Sequence, residues 1–131
     1  MSLKSKGINA ERELIHKFWG TGIWSAVRVA GSGSMKYPSA DILAANKLRR
    51  LAIECKITKE QKKYFGEKEI DSLKKFAGVF GAEPWIAVKF KGHEWLFISL
   101  DNLSKTNKGY VIDSESVKSR GLLFEEIIEK K

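Results

Sequence analysis

An α/β fold with a mixed central β-sheet flanked by helices follows from three observations on this chain. Two segments repeat apolar residues at helical spacing. Five short segments are rich in β-branched and aromatic residues. The two kinds interleave in the order αβββαββ, which favours one sheet with helices packed on its faces.

The first helix is predicted over residues 8–20. Ile8, Leu14, Ile15, Phe18 and Trp19 fall mainly on one side, and Gly20 and Gly22 stop it. Residues 23–30 (IWSAVRVA) form the first strand. Residues 31–39 (GSGSMKYPS) make a glycine- and serine-rich loop ending near a proline. Residues 41–46 and 50–57 read as a hairpin with a short polar connection at 46–49. The second helix spans 67–80, with Ile70, Leu73, Phe76, Ala77 and Phe80 at three- and four-residue steps and Gly81 as its stop. Residues 84–91 and 94–100 form another hairpin turning at Gly92 and His93. Residues 101–120 read as polar and irregular, and 122–130 as a short final helix.

The 131 residues make one domain, with residues 1–3 expected to be vector-derived and 101–131 a C-terminal extension. Hydrophobic residues make up 43%, enough for one core. No apolar run reaches the roughly 20 residues that span a bilayer. Lys4 and Lys6 have no apolar stretch after them, so no signal peptide is expected and a cytoplasmic location is the default. Cys55 is the single cysteine, which excludes an internal disulfide and a multi-cysteine zinc site.

The net charge of +8 points to a polyanionic partner, nucleic acid first. The competing account is lysine-rich solubility in a heat-adapted protein. The basic excess lies in the first half, where Lys4, Lys6, Arg12, Lys17, Arg28 and Lys36 face only Glu11 and Glu13 within residues 1–40.

The chemistry centres on Asp41, Glu54 and Lys56. Strand side chains alternate faces, so Ile53, Cys55 and Ile57 point to the core while Ala52, Glu54 and Lys56 point the other way. A hairpin brings Asp41 beside Glu54. Two carboxylates with a nearby backbone carbonyl, that of Cys55, suit Mg²⁺, with Mn²⁺ as a substitute. Such an ion polarises a phosphoryl oxygen and activates water, and a lysine on the same face steadies the charge that develops. The same spacing also describes an ordinary exposed Glu–Lys pair.

These residues resemble the PD-(D/E)XK nuclease motif, and the element order resembles the core of restriction-endonuclease-like nucleases. Ala40 stands where the motif's proline often lies. A resemblance to the archaeal Holliday-junction resolvases, Hjc and Hje, covers most of the chain. It rests on Lys6-Gly7 with Ala10 through Leu14, on Ala26 through Ser34, on Pro38 with Asp41-Ile42, and on Ala52 through Lys56. Phe80-Gly81, Pro84 and Ala87 through Phe90 extend it, and it weakens after about residue 100.

The resemblance implies a structure-selective DNA endonuclease that resolves four-way junctions by paired nicks, acting as a homodimer on branched DNA. It implies a catalytic role for Glu11 near the metal, with Glu13 as the competing residue, and a role in cleavage for Ser32. Arg12 and Arg28 become phosphate contacts, joined by Lys4, Lys6, Ser34 and Lys36. A C2 dimer matches the symmetry of a four-way junction. Phe76 and Phe80 are candidates for that interface or for the chain's own core. The alternatives are another repair or restriction-type nuclease of the same fold, and a basic DNA-binding module without catalysis. His16 and His93 have no partners at metal-ligand spacing. The four tryptophans read as core or interface, and the Cys55 thiol as a buried group.

Overall fold

The computed structural model describes residues 3–30 and 36–129, with side chains from Lys6 onward. The first helix, α1 (Leu3–Gly20), leads into three strands, β1 (Ser25–Arg28), β2 (Ile42–Ala45) and β3 (Arg50–Thr58). Strand β4 (Lys62–Gly66) runs directly into α2 (Glu67–Phe80). Then come β5 (Glu83–Phe90), β6 (Leu96–Ser99), a 3-10 turn at Leu100–Asn102, β7 (Ser104–Lys105) and β8 (Gly109–Asp113). The chain ends in α3 (Ser114–Arg120), β9 (Leu122–Leu123) and α4 (Phe124–Glu129). Among the described residues no helix is long and apolar enough to cross a membrane.

The main sheet has the order β1-β2-β3-β5-β6-β9. Only the β3–β5 pair is parallel among the pairings of this sheet, so the sheet is mixed as expected. The parallel crossover is made by β4 and α2. Both faces are covered. Leu14 and Phe18 of α1 and Ile127 of α4 pack with Ile42, Ile53 and Phe97 on one face. On the other, Ile70 and Leu73 of α2 and Val117 of α3 pack with Ala52, Ile86 and Val88.

Residues 101–120 correct the expectation of an irregular segment. They contain β7, β8 and α3, and β8 joins β4 and β7 in a second, three-stranded sheet of order β4-β8-β7. The strands are short, and their partner β4 lies some forty residues earlier, so periodicity alone does not reveal them. Residues 122–130 also divide: Leu122 and Leu123 add an edge strand to β6 before the last helix begins. Gly66 lies opposite Gly109 in the β4–β8 pair. A Cβ at Gly109 would collide with the Phe65 carbonyl oxygen, so the two strands approach closely just where β4 turns into α2.

Strand β3 positions the site. Its first residues lie between β2 and β5, and Leu51, Ala52 and Ile53 are buried. The β2 pairing stops at Ile42↔Ile53. From Glu54 onward β3 keeps β5 on one side only, and its other edge opens.

Candidate active site

Asp41 stands at the point where β2 leaves β3. Its N–H donates to the Ile53 carbonyl (3.0 Å), and its own carbonyl accepts from Val29 N–H (2.8 Å). Its carboxylate turns onto the freed edge of β3 and accepts a hydrogen bond from the Cys55 N–H, 2.9 Å to Oδ2. In an extended strand the N–H and C=O of one residue point to the same edge. The Cys55 carbonyl therefore opens on the Asp41 side.

The Cys55 thiol packs toward the core formed with α1. Burial pushes its pKa well above the usual thiol value, with the nearby carboxylates adding to that rise. It is an inert packing group rather than a nucleophile.

Glu54 meets Asp41 on the opened edge. Its carboxyl is pushed up to about 9, first by burial and then by the hydrogen bond and the charge of Asp41. Two carboxylates this close, in poor contact with water, hold a proton between them. Lys56 lies two residues along the same face. Its ammonium reaches across to α2, where Nζ is 2.5 Å from Glu69 Oε1. Its pKa is raised: burial pulls it down but is outweighed by Glu69, with Glu54 and Asp41 adding their charge.

Glu11 and Glu13, two residues apart on α1, point in different directions. Glu13 accepts from Lys89 Nζ (3.0 Å) and Trp95 Nε1 (3.1 Å), a contact that ties α1 to β5 and the start of β6. Glu11 lines the cleft with Asp41, Glu54 and Lys56. Its pKa is raised by burial and by the charge of Asp41, against the pull of Arg28. Arg28 Nε sits 3.0 Å from Glu11 Oε1, so this arginine holds the third carboxylate in the structure. Among the described residues no three acidic or metal-ligating side chains already converge around one point. Asp41 and Glu54 form a two-carboxylate centre, with Glu11 adjoining it.

The cleft encloses about 890 Å³ between α1, the 36–41 segment, β3 and α2, and Lys36, Lys68, Glu69 and Ser72 complete its walls. Lys36 is exposed at its mouth, and Arg12 is exposed on α1. Lys6 lies on α1, partly buried, and the backbone of Lys4 lies in the same helix. Ser32 and Ser34 lie outside the described residues. Glu69 was not singled out from the sequence. It reads there as one of several acids suiting the start of a helix, and nothing local marks it as facing Lys56.

Phe76 and Phe80 stack on each other with ring centroids 5.2 Å apart. Phe76 packs against the core, and Phe80 is 49% exposed. Trp24, Trp85 and Trp95 are buried, and Trp19 is exposed.

The chain matches, over residues 2–131, the family model described as archaeal Holliday junction resolvase (Hjc). It is 41% identical over 128 residues to the crossover junction endodeoxyribonuclease Hjc of Archaeoglobus fulgidus, covering 98% of this chain and 93% of that one. The Hjc of Methanocaldococcus jannaschii is 37% identical, with 94% and 86% covered. The crossover junction endodeoxyribonuclease Hje of Saccharolobus islandicus is 35% identical, with 87% and 93% covered. The solved structure of Archaeoglobus fulgidus Hjc superposes with a TM-score of 0.83 at 38% identity, over 88% of this chain and 93% of that one.

Proposed function

The chain belongs to the archaeal Holliday junction resolvase (Hjc) family, and we propose that it is an endodeoxyribonuclease that resolves four-way DNA junctions by metal-dependent phosphodiester hydrolysis. The observation that carries the metal dependence is the Asp41–Glu54 pair. These two carboxylates face each other on an opened strand edge, and burial together with Asp41 pushes the Glu54 carboxyl up to about 9. A proton holds the pair together, and a divalent cation relieves the same repulsion better.

Asp41, Glu54 and the Cys55 carbonyl would hold Mg²⁺ or Mn²⁺, with Glu11 next to them. The bound ion supplies Lewis acidity toward a phosphoryl oxygen and a lowered pKa for water. Lys56 supplies fixed positive charge for the anionic transition state. The Cys55 N–H keeps the Asp41 carboxylate aimed along the β3 edge. Arg28 restrains Glu11 and adds positive charge beside the cleft. Arg12, Lys6 and Lys36 would meet phosphates of the arms, a reading supported by the exposure of Arg12 and Lys36, and this would favour recognition of backbone shape over base sequence.

A second copy is the natural partner. Two symmetric nicks need two active sites, and a C2 dimer provides them. Val27, Leu43 and Phe80 line one shallow groove on the sheet's outer edge, with Val79 80% exposed nearby. An apolar patch of this kind is suited to an isologous contact. Phe80→Asp should leave a folded protein that sediments at half the native mass; an unchanged sedimentation mass would remove this face from the interface.

The function is tested on synthetic DNA. With Mg²⁺, the protein should introduce symmetric nicks in a four-way junction and leave linear duplex of the same sequence mostly intact. Equal cleavage of both substrates would refute the junction reading.

A further inference from the structure

Lys56 has two carboxylates within reach. Glu54 is two residues away on the same face of β3, and Glu69 is on α2. The structure places its ammonium on Glu69, 2.5 Å from Oε1. We propose that Glu69 is a positioning residue for the cleavage reaction: it holds the Lys56 ammonium at the α2 wall of the cleft, away from Glu54. The inference rests on the metal-dependent reading of the site and assigns a part in it to a residue outside the carboxylate strands.

A lysine side chain is a compact charge on a flexible stem, with about four rotatable bonds to order. Without a partner on α2, the Lys56 ammonium gains most by closing on Glu54. That would compensate the negative charge a divalent cation needs and withdraw the ammonium from the scissile phosphate. The Glu69 contact prevents both.

The wall itself is firm. Ile70 and Leu73 are buried, which fixes the rotation of α2 about its axis. Phe65, also buried, places its ring 6.0 Å from the ammonium and limits where it can go. Both Glu67 and Glu69 occupy the acidic first turn of α2, where either would suit the helix dipole. Only Glu69 of these two lines the cleft, and its side chain is 32% exposed.

The test is a double-mutant cycle read on Mn²⁺ binding by calorimetry, without DNA and therefore without turnover. Glu69→Ala is expected to weaken Mn²⁺ binding about fivefold in the native background and to have no effect in a Lys56→Ala background. Glu69→Gln keeps an oxygen acceptor for Lys56 and should recover most of the affinity. A through-space loss of negative charge would instead make the glutamine and alanine variants equal.

In parallel, Glu69→Ala should lower the single-turnover rate on a four-way junction by about tenfold. Glu69→Ala and Glu69→Gln should share the Tm loss that follows from removing a charge at the start of α2, so Tm does not separate the two variants while Mn²⁺ affinity does. Equal weakening of Mn²⁺ binding in both backgrounds, or none in either, overturns the inference. If the native protein cleaves junctions while the cycle shows no coupling, the inference alone falls. Coupling in the cycle without junction cleavage would keep the positioning role and remove the junction function.

Discussion

Just before β3, Arg49 and Glu83 meet as opposite charges; midway along the strand, Asp41 and Glu54 meet as like charges. The first cluster is complete. Arg49 forms two hydrogen bonds to Glu83, Nε to Oε2 and Nη2 to Oε1, both 2.9 Å, and Nη1 donates to the Ile127 carbonyl at 2.7 Å. Trp85 Nε1 donates to the same carboxylate, and the guanidinium lies 5.5 Å from the Trp24 ring centroid. A planar fork on a carboxylate, with the remaining donor satisfied, is a structural use of charge. The second cluster is incomplete by the same standard, because Glu54 keeps its proton to well above neutral pH. The entry to the strand binds its own charges to one another, while its middle brings two like charges together across a proton.

The sharpest way to break this contrast is Glu54→Ala. It should lower single-turnover cleavage of a junction by about a thousandfold or more, the scale of several kcal/mol of transition-state stabilisation. Metal-free junction binding should persist, as judged by electrophoretic mobility shift. An active variant would remove Glu54 from the site.

Arg49→Ala tests the other cluster. Guanidinium loss removes the paired charge from Glu83, which keeps the Trp85 hydrogen bond, and the donor to the Ile127 carbonyl. Because Glu83 is 39% exposed, the expected loss is about 2 kcal/mol, below the 3–5 of a fully buried pair. Denaturant unfolding would read it, while cleavage per folded molecule should change less than about twofold. A cleavage defect without a stability loss would contradict the division of labour.

The comparison is also read through pH. The folded-state pKa of Glu54 is raised from 4.5 to about 9, burial first and Asp41 second. The unfolded chain therefore releases this proton at lower pH than the folded one. The contribution is fully present below about 4.5 and is lost as pH rises toward 9. In metal-free protein, Tm should fall more steeply from pH 5 to 9 than in Glu54→Gln. Parallel Tm curves for the two would show that Glu54 does not hold its proton.

The arrangement of Glu54 and Lys56 in the middle of β3 was legible because alternation is a strong rule. Ile53 and Cys55 go to one face and Glu54 and Lys56 to the other, and the hairpin, whose pairing stops at Ile42↔Ile53, leaves Asp41 next to Glu54. The bounds of α2 were legible for a similar reason, since its apolar stripe and Gly81 both mark them. The choice between Glu11 and Glu13 was not available from local spacing. Positions two apart on a helix diverge by roughly 200°, so one of them had to leave the cleft, but which one depends on how α1 lies on the sheet. The Arg49–Glu83 pair joins residues 34 apart, and Lys56–Glu69 joins a strand to a helix; no periodicity announces either. The second sheet was missed because its strands are only two to five residues long and paired at long range.

That second sheet has a consequence for heredity. The start of α2 is seated by β4, and β4 is seated by β8 at the close approach of Gly109 to Phe65. A methyl group at Gly109 would push apart β4 and β8, and the displacement would arrive at the helix turn bearing Glu69. Selection for faithful chromosome exchange would thus be felt at a glycine in the last quarter of the chain, through the contacts that seat α2.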